Sequence, residues 1–270
     1  MPKHTVAVIG AGKIGELVLS GLLRSGWPAS RLLVTVRRGA RGEELAEKYG
    51  VTVVDNAEAV SRADILAIAV KPQDAAALLE QIGSKVPEGK LVVSLCAGLP
   101  TSFFAARLPE GTPVVRVMTN TPALVDQAMT AISAGPHANG EHLAIAEEMF
   151  QPLGVTLRVP ESQQDAVTAL SGSGPAYFYL LVEAMVDAGI LLGLPRQVAH
   201  ELIVQTAIGS AVMLRDSGEH PVKLREAVTS PAGTTISAIR ELEKHGVRAA
   251  LLSALEAARD RAREIADQAR

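Results

Sequence analysis

The sequence predicts an α/β chain in two parts: a doubly wound, mostly parallel sheet over residues 1–160, then an all-α half over residues 161–270. Three observations carry this. A buried-strand run, Val6 to Ile9, leads straight into a glycine turn and a helical pattern. Further apolar strand runs alternate with helical segments as far as Val159. After Pro160 no good strand remains and the periodicity is helical.

The first turn is Gly10-Ala11-Gly12-Lys13-Ile14-Gly15, followed by helical positions at Leu17, Leu19, Leu22 and Leu23. Gly10 allows a tight turn, Gly12 a close backbone approach to a pyrophosphate, and Gly15 close helix–strand packing. A bare GxGxxG is a weak signal, and a purely structural glycine turn would look similar. Between a strand and a helix it reads as a Rossmann-type dinucleotide site.

The second strand, Leu32 to Val36, ends in Arg37-Arg38, with no carboxylate before Glu43. An acidic residue there would bind the ribose 2′-hydroxyl of NAD, whereas two guanidiniums suit a 2′-phosphate through charge-assisted bonds. The alternative is a pair of solvated surface arginines. The expected cofactor is NADPH, with NADH as the lesser possibility.

Strands follow at Thr52–Val54, Ile65–Val70, Leu91–Leu95 and Val114–Val117, with helices around Glu43–Tyr49 and Asp74–Ile82. Ligands on such sheets sit beyond the carboxyl ends of the strands. Those ends are Asp55-Asn56, Val70-Lys71-Pro72, Cys96-Ala97-Gly98 and Met118 to Pro122. Lys71 reads either as a cofactor contact or as a loop lysine before proline. Cys96 has no histidine nearby in sequence to activate it and reads as a small buried residue. Asn120 reads as a turn residue. Two more strands, Met129–Ser133 and Val155–Val159, flank a helix through Leu143, Ala146 and Met149.

The second half has helical patterns at Asp165–Leu170, Tyr177–Leu192, from Leu194-Pro195 to Arg215, and from Arg248 to Arg270. Glycines and a proline in Ser171–Pro175 predict a kink or a close helix contact. Helices 176–192 and 197–215 are apolar on more than one face, so the expectation is a dimerisation domain rather than a free-standing bundle.

Within this half, VTSPAGTTISAI (Val228–Ile239) places Pro231 and Gly233 just before a helical run. Thr234 and Thr235 then lie at a helix N-terminus, where free N–H groups suit a carboxylate or phosphate. The hydroxyls of Ser230, Thr234 and Thr235 add donors. An ordinary helix cap is the competing explanation.

Composition narrows the classes. Of 270 residues, 48% are hydrophobic and 3% aromatic, so the cores are built from aliphatic side chains. A net charge of −3 gives no reason to expect nucleic acid. One cysteine, Cys96, excludes an intramolecular disulfide framework and a cysteine-rich metal site, and fits a reducing cytoplasm. The N-terminus is not a signal peptide. Leu180–Leu194 is the most apolar long segment, but Glu183 and Asp187 interrupt it, and no membrane span is expected. No metal cluster, Ser/His/Asp pattern or paired carboxylates stand out.

GAGKIG, AVKP (Ala69–Pro72), MTNTP (Met118–Pro122), LSGSGPAY (Leu170–Tyr177) and the stretch Pro221–Glu243 occur in the order and spacing of one family. On these motifs the chain resembles the pyrroline-5-carboxylate reductases over nearly its whole length. The resemblance implies reduction of 1-pyrroline-5-carboxylate to L-proline with NAD(P)H, the last step of proline synthesis. It implies that Gly10–Gly15, Asn56, Ala69, Val70, Lys71, Pro72 and the Cys96-Ala97 backbone hold the cofactor. It implies that Ser230 and the Gly233–Thr235 backbone hold the substrate carboxylate, with the Thr235 hydroxyl at the ring nitrogen as the catalytic position. Glu161 matches a position near the proline site in some members. Ala227 departs from members that carry asparagine there and contact the cofactor across a subunit interface. Homodimers, often gathered further into rings of five, are the implied assembly.

The chemistry agrees. Imine reduction needs a hydride at carbon and a proton on nitrogen, and protonation by water needs no dedicated acid. Placing the carbon against the nicotinamide is the main task. A 3-hydroxyacid reductase is the nearest rival, but it needs a lysine soon after the glycine-rich turn. After Gly174 the next lysine is Lys223. A non-catalytic NADPH-binding regulator is the other rival, and it has no use for Val228–Ile239.

Overall fold

A computed structural model describes residues 3–268. Eight strands form one sheet: β1 (Val6–Ile9), β2 (Leu32–Thr35), β3 (Thr52–Val53), β4 (Ile65–Ile68), β5 (Leu91–Ser94), β6 (Val114–Met118), β7 (Ala128–Ala134) and β8 (Gly154–Arg158). Their order is β3-β2-β1-β4-β5-β6-β7-β8. All neighbours are parallel except β6 and β7, which pair antiparallel. β1, β2, β4 and β5 are buried along their full length, which explains their unbroken apolar sequences: helices cover both faces.

The crossovers are α1 (Lys13–Arg24), α2 (Gly39–Tyr49), α3 (Asn56–Arg62), α4 (Pro72–Ile82), α5 (Thr101–Ala105) and α6 (Gly140–Phe150). Side chains alternate along β1 as the pleat requires. Val6 and Val8 pack with Leu17, Leu22, Trp27 and Phe150 on one face. Ala7 and Ile9 pack with Leu66, Leu79 and Phe104 on the other.

Beyond β8 the chain is helical: α7 (Gln164–Val167), a π-helical turn (Thr168–Gly172), α8 (Gly174–Leu191), α9 (Arg196–Asp216), α10 (Pro221–Ala227), α11 (Thr234–Lys244) and α12 (Val247–Gln268). The expected end of the last helix at Arg270 lies outside the described residues. The irregularity foreseen at Ser171–Pro175 is the π turn, in which Ser173 N–H reaches back to the Thr168 carbonyl at 2.9 Å. Gly172 also packs closely, but on strand β6 rather than on a helix: a Cβ there would lie 2.3 Å from Met118 Cε.

The chain groups into two compact units. One contains the sheet, residues up to Ser173 and those from Ala257 onward; the other is Gly174–Glu256. The change from strands to helices near Pro160 and the change of unit at Ser173 are therefore separate events. Residues 161–173 stay with the sheet because they are bonded to it. The fully buried Gln164 donates to the Ser133 hydroxyl at 2.8 Å, and the buried Arg116 on β6 pairs with Asp165 at 3.1 Å.

In the helical unit α8 and α9 cross closely: a Cβ on Gly189 would sit 2.7 Å from Ala199 Cβ. Val186 and Ala199 are buried, whereas Phe178, Tyr179, Leu180, Met185, Leu191, Leu202, Ile208 and Met213 are exposed. The helical run Glu161–Leu191 is long and apolar enough to cross a membrane by length and composition, and 11% of that window is buried within the chain.

Candidate active site

The glycine turn joins β1 to α1. Gly10 sits at φ +86°, and a Cβ there would lie 2.5 Å from Val70 Cγ1, so both conformation and space require glycine. A Cβ on Gly15 would lie 2.8 Å from the Gly10 carbonyl, which brings α1 down onto the strand. Gly12, the N-cap of α1, has nothing within 4 Å of such an atom. The space above it is open to a ligand. The Gly10 and Ala11 N–H groups donate to the Thr35 carbonyl at 3.2 and 3.1 Å, tying the turn to the end of β2. Those of Lys13, Ile14 and Gly15 begin the helix and have no intrahelical acceptor. Open space over a helix N-terminus is what a pyrophosphate needs, and the residues fit one.

Beside the turn lies a pocket of about 230 Å³ lined by Gly10, Val36, Arg37, Asn56, Val70, Asp74, Leu78 and Gln81, among others. Its walls are largely aliphatic and its rim is polar, the character of an adenosine slot. Asn56, first residue of α3, donates to Gln81 Oε1 at 2.9 Å. Arg37 is exposed and pairs with Asp74 at 3.3 Å. Arg38 is also exposed and is the N-cap of α2.

A second set of charges sits behind the turn. Glu16 on α1 accepts from Lys48 at 3.0 Å and Tyr49 at 2.9 Å, and pairs with Arg41. Partial burial pushes its carboxyl up, but hydrogen bonds from Lys48, Arg41 and Tyr49 outweigh this and hold it at about 2. Arg41 also pairs with Glu44 at 2.6 Å, so its guanidinium is committed to carboxylates while Arg37 and Arg38 face solvent.

The AVKP segment ends β4. Ala69 N–H donates to the Ile9 carbonyl at 2.8 Å, Lys71 caps α4 with its side chain exposed, and Pro72 is the first helical residue. Cys96 is buried, with Sγ 3.4 Å from the Val70 carbonyl. Burial pushes its thiol up to about 12, so at neutral pH it is no nucleophile. Ala97 beside it is half-buried.

Glu161 acts at the start of α5. Its two oxygens accept from the N–H and the hydroxyl of Thr101, each at 2.6 Å, and Arg116 lies 3.7 Å away. Asn120 bridges two motifs, accepting from Met129 N–H and donating to the Ser171 carbonyl, each at 3.1 Å.

The stretch Ser230–Thr235 belongs to the helical unit. Gly233 is the N-cap of α11 without a side-chain cap, and Thr234 and Thr235 are its first two residues. The Gly233 N–H donates to the Ser230 carbonyl at 3.1 Å, and a Cβ on Gly233 would lie 2.4 Å from Ser230 Oγ. Ala232 between them has φ +55°, an uncommon backbone for a residue with a side chain. The turn thus brings the Ser230 hydroxyl next to the open first turn of α11.

Of the residues expected to hold the cofactor, Gly10, Arg37, Asn56 and Val70 line one pocket. Thr35, Asp74, Ala77, Leu78 and Gln81 line it too and escaped the sequence reading. The spacing of the last four, one helical face after the VKP segment, was the available signal.

The arrangement defines a class, a nicotinamide-dinucleotide oxidoreductase. Residues 5–98 match the family model described as NADP oxidoreductase coenzyme F420-dependent, and residues 161–265 match pyrroline-5-carboxylate reductase dimerisation. A pyrroline-5-carboxylate reductase of Corynebacterium melassecola is 41% identical over 97% of this chain and 98% of its own. One from Mycobacterium tuberculosis is 42% identical over 96% of each chain. The solved pyrroline-5-carboxylate reductase of Coxiella burnetii superposes with a TM-score of 0.90 at 34% identity, covering 98% of this chain and 99% of that one. The Plasmodium falciparum pyrroline carboxylate reductase, solved with NADP bound, gives 0.90 at 27% identity with the same coverage. The chain belongs to the pyrroline-5-carboxylate reductase family.

Proposed function

We propose that this chain reduces 1-pyrroline-5-carboxylate to L-proline with NADPH, in the cytoplasm, as the last step of proline synthesis. The observation that carries the site assignment is the turn Ser230–Thr235. It presents a hydroxyl and uncapped helix N–H groups together, matched to a small ring bearing a carboxylate next to a nitrogen.

The cofactor, when bound, supplies the hydride. Gly10–Gly15 hold its pyrophosphate at the N-terminus of α1, Asn56 and the Val70 wall hold the adenosine, and Arg37 with Arg38 holds the 2′-phosphate. Ala69–Pro72 and the Cys96-Ala97 backbone flank the dinucleotide at the ends of β4 and β5. Ser230 and the N–H groups of Thr234 and Thr235 orient the substrate carboxylate, and Gly233 keeps the approach clear. The Thr235 hydroxyl holds the ring nitrogen and passes it a proton drawn from water. Orientation, rather than an acid of shifted pKa, then supplies most of the rate.

The exposed apolar faces of α8 and α9 are covered by a second copy of the chain. The match of residues 161–265 to a dimerisation domain supports this. Five such dimers in a ring is the higher assembly to expect from the family.

An assay of NADPH oxidation tests the reading. Turnover with pyrroline-5-carboxylate and none with 3-hydroxyacids is expected. NADPH binding without turnover would favour a regulator instead. Light scattering showing an active monomer would remove the second copy.

A further inference from the structure

We propose that Asp74 sets the margin of this enzyme's preference between NADPH and NADH, by competing with the 2′-phosphate for Arg37. The inference rests on Arg37 being the 2′-phosphate residue, as read above. Arg37 leaves the end of β2 and lines the pocket rim, and Asp74, in the first turn of α4, lines the same pocket. Their charged groups are 3.3 Å apart, with Arg37 largely exposed and Asp74 one-third exposed. Among the described residues, no other carboxylate lines this pocket.

Three physical consequences follow from that placement. The carboxylate holds the guanidinium at the rim when no phosphate is there, which costs the side chain some of its freedom in advance. A phosphate arriving at Arg37 comes within a few ångströms of Asp74 and is repelled by it. A ribose carrying a free 2′-hydroxyl meets no repulsion and can instead donate to the carboxylate, the role an acidic residue plays at the end of β2 in NAD-binding sheets. Asp74 therefore works against the phosphate and for the hydroxyl, from beside Arg37 in the same pocket. The pair is exposed enough for salt to screen it, so the effect on binding is modest, about three- to tenfold.

The test uses Asp74→Asn, which keeps the size and shape of the side chain. Calorimetric titration with 2′,5′-ADP and with ADP reads the 2′-phosphate contribution directly, without turnover. The same ratio is taken for NADPH and NADH binding. The expected result is a three- to tenfold rise in the preference for the 2′-phosphorylated ligand. An unchanged or lowered preference overturns the proposal. Because Asp74 lies near the N-terminus of α4, the variant loses a favourable helix-dipole interaction, but this acts on the stability of the helix and leaves the ratio of the two ligands untouched. Arg37→Ala, measured in parallel, separates the two readings. If it lowers the preference while Asp74→Asn does nothing, the role of Asp74 fails and that of Arg37 stands. If Arg37→Ala affects both ligands equally, the assignment of Arg37 itself fails.

Discussion

Thr101 donates both its N–H and its hydroxyl to Glu161, one to each carboxylate oxygen at 2.6 Å, across 60 positions of sequence. Both oxygens of Glu161 are thereby engaged before any substrate arrives. Glu161→Ala should lower unfolding stability by about 2–4 kcal/mol, since two charge-assisted hydrogen bonds go and the buried Arg116 loses a neighbouring carboxylate. Chemical denaturation measures this. A large rise in the Michaelis constant for pyrroline-5-carboxylate with unchanged stability would instead make Glu161 a substrate ligand.

Replacing Arg37 and Arg38 together by alanine should raise the Michaelis constant for NADPH about ten- to a hundredfold. Charge-assisted bonds of roughly 1.5–3 kcal/mol are lost. The constant for NADH should hardly move. Steady-state kinetics with the two cofactors decides, and equal effects would leave the two arginines as surface residues.

Thr235→Ala should lower kcat/KM about ten- to a hundredfold with NADPH affinity intact. Thr235→Ser should keep most activity. Gly233→Val should be worse than either, because its Cβ would lie 2.4 Å from Ser230 Oγ and force the turn apart. Full activity in Thr235→Ala would reduce the whole stretch to a helix cap.

Glu16 makes acid stability predictable. Its carboxyl is held at about 2 in the folded chain against an ordinary value of 4.5. A depressed folded value means the unfolded chain takes up the proton first as pH falls. The contribution of Glu16 is therefore complete above about pH 5 and is lost as pH drops from about 4.5 to 2. After allowance for its partial exposure it is on the order of 2 kcal/mol. Glu16→Gln should be less stable at neutral pH and flatter in this acid range. Melting curves taken across the range test it, and parallel pH profiles for the two proteins would contradict it.

All eight strands were legible in the sequence, and β1, β2, β4 and β5 most plainly, because strands covered on both faces write themselves as short, largely apolar runs. Their ends shifted by one or two residues, as with Ile65–Val70, which stops at Ile68. The short helices were not legible. α3 is closed by Asp55 accepting from Glu58 N–H, and α5 is anchored by Glu161 from far along the chain. Neither carries enough turns to show a period. The glycine turn and the Ser230–Thr235 turn were legible because glycine and proline constrain the backbone locally. Asp74 was not, because its meaning comes from Arg37, which reaches it only through the fold. The π turn was legible as an irregularity from its glycines, but its hydrogen-bond pattern was not.

α12 begins in the helical unit and ends in the sheet unit, where Ala262 is buried and Ile265 closes on Gly98. On the ribosome this has an effect on timing. The sheet unit emerges first, yet its β5 loop lacks a wall until more than eighty further residues, Gly174–Glu256, have been synthesised. The nascent protein must therefore carry an unfinished nucleotide fold through the whole synthesis of the helical unit, and a ribosome that stalls there releases a chain that cannot close it.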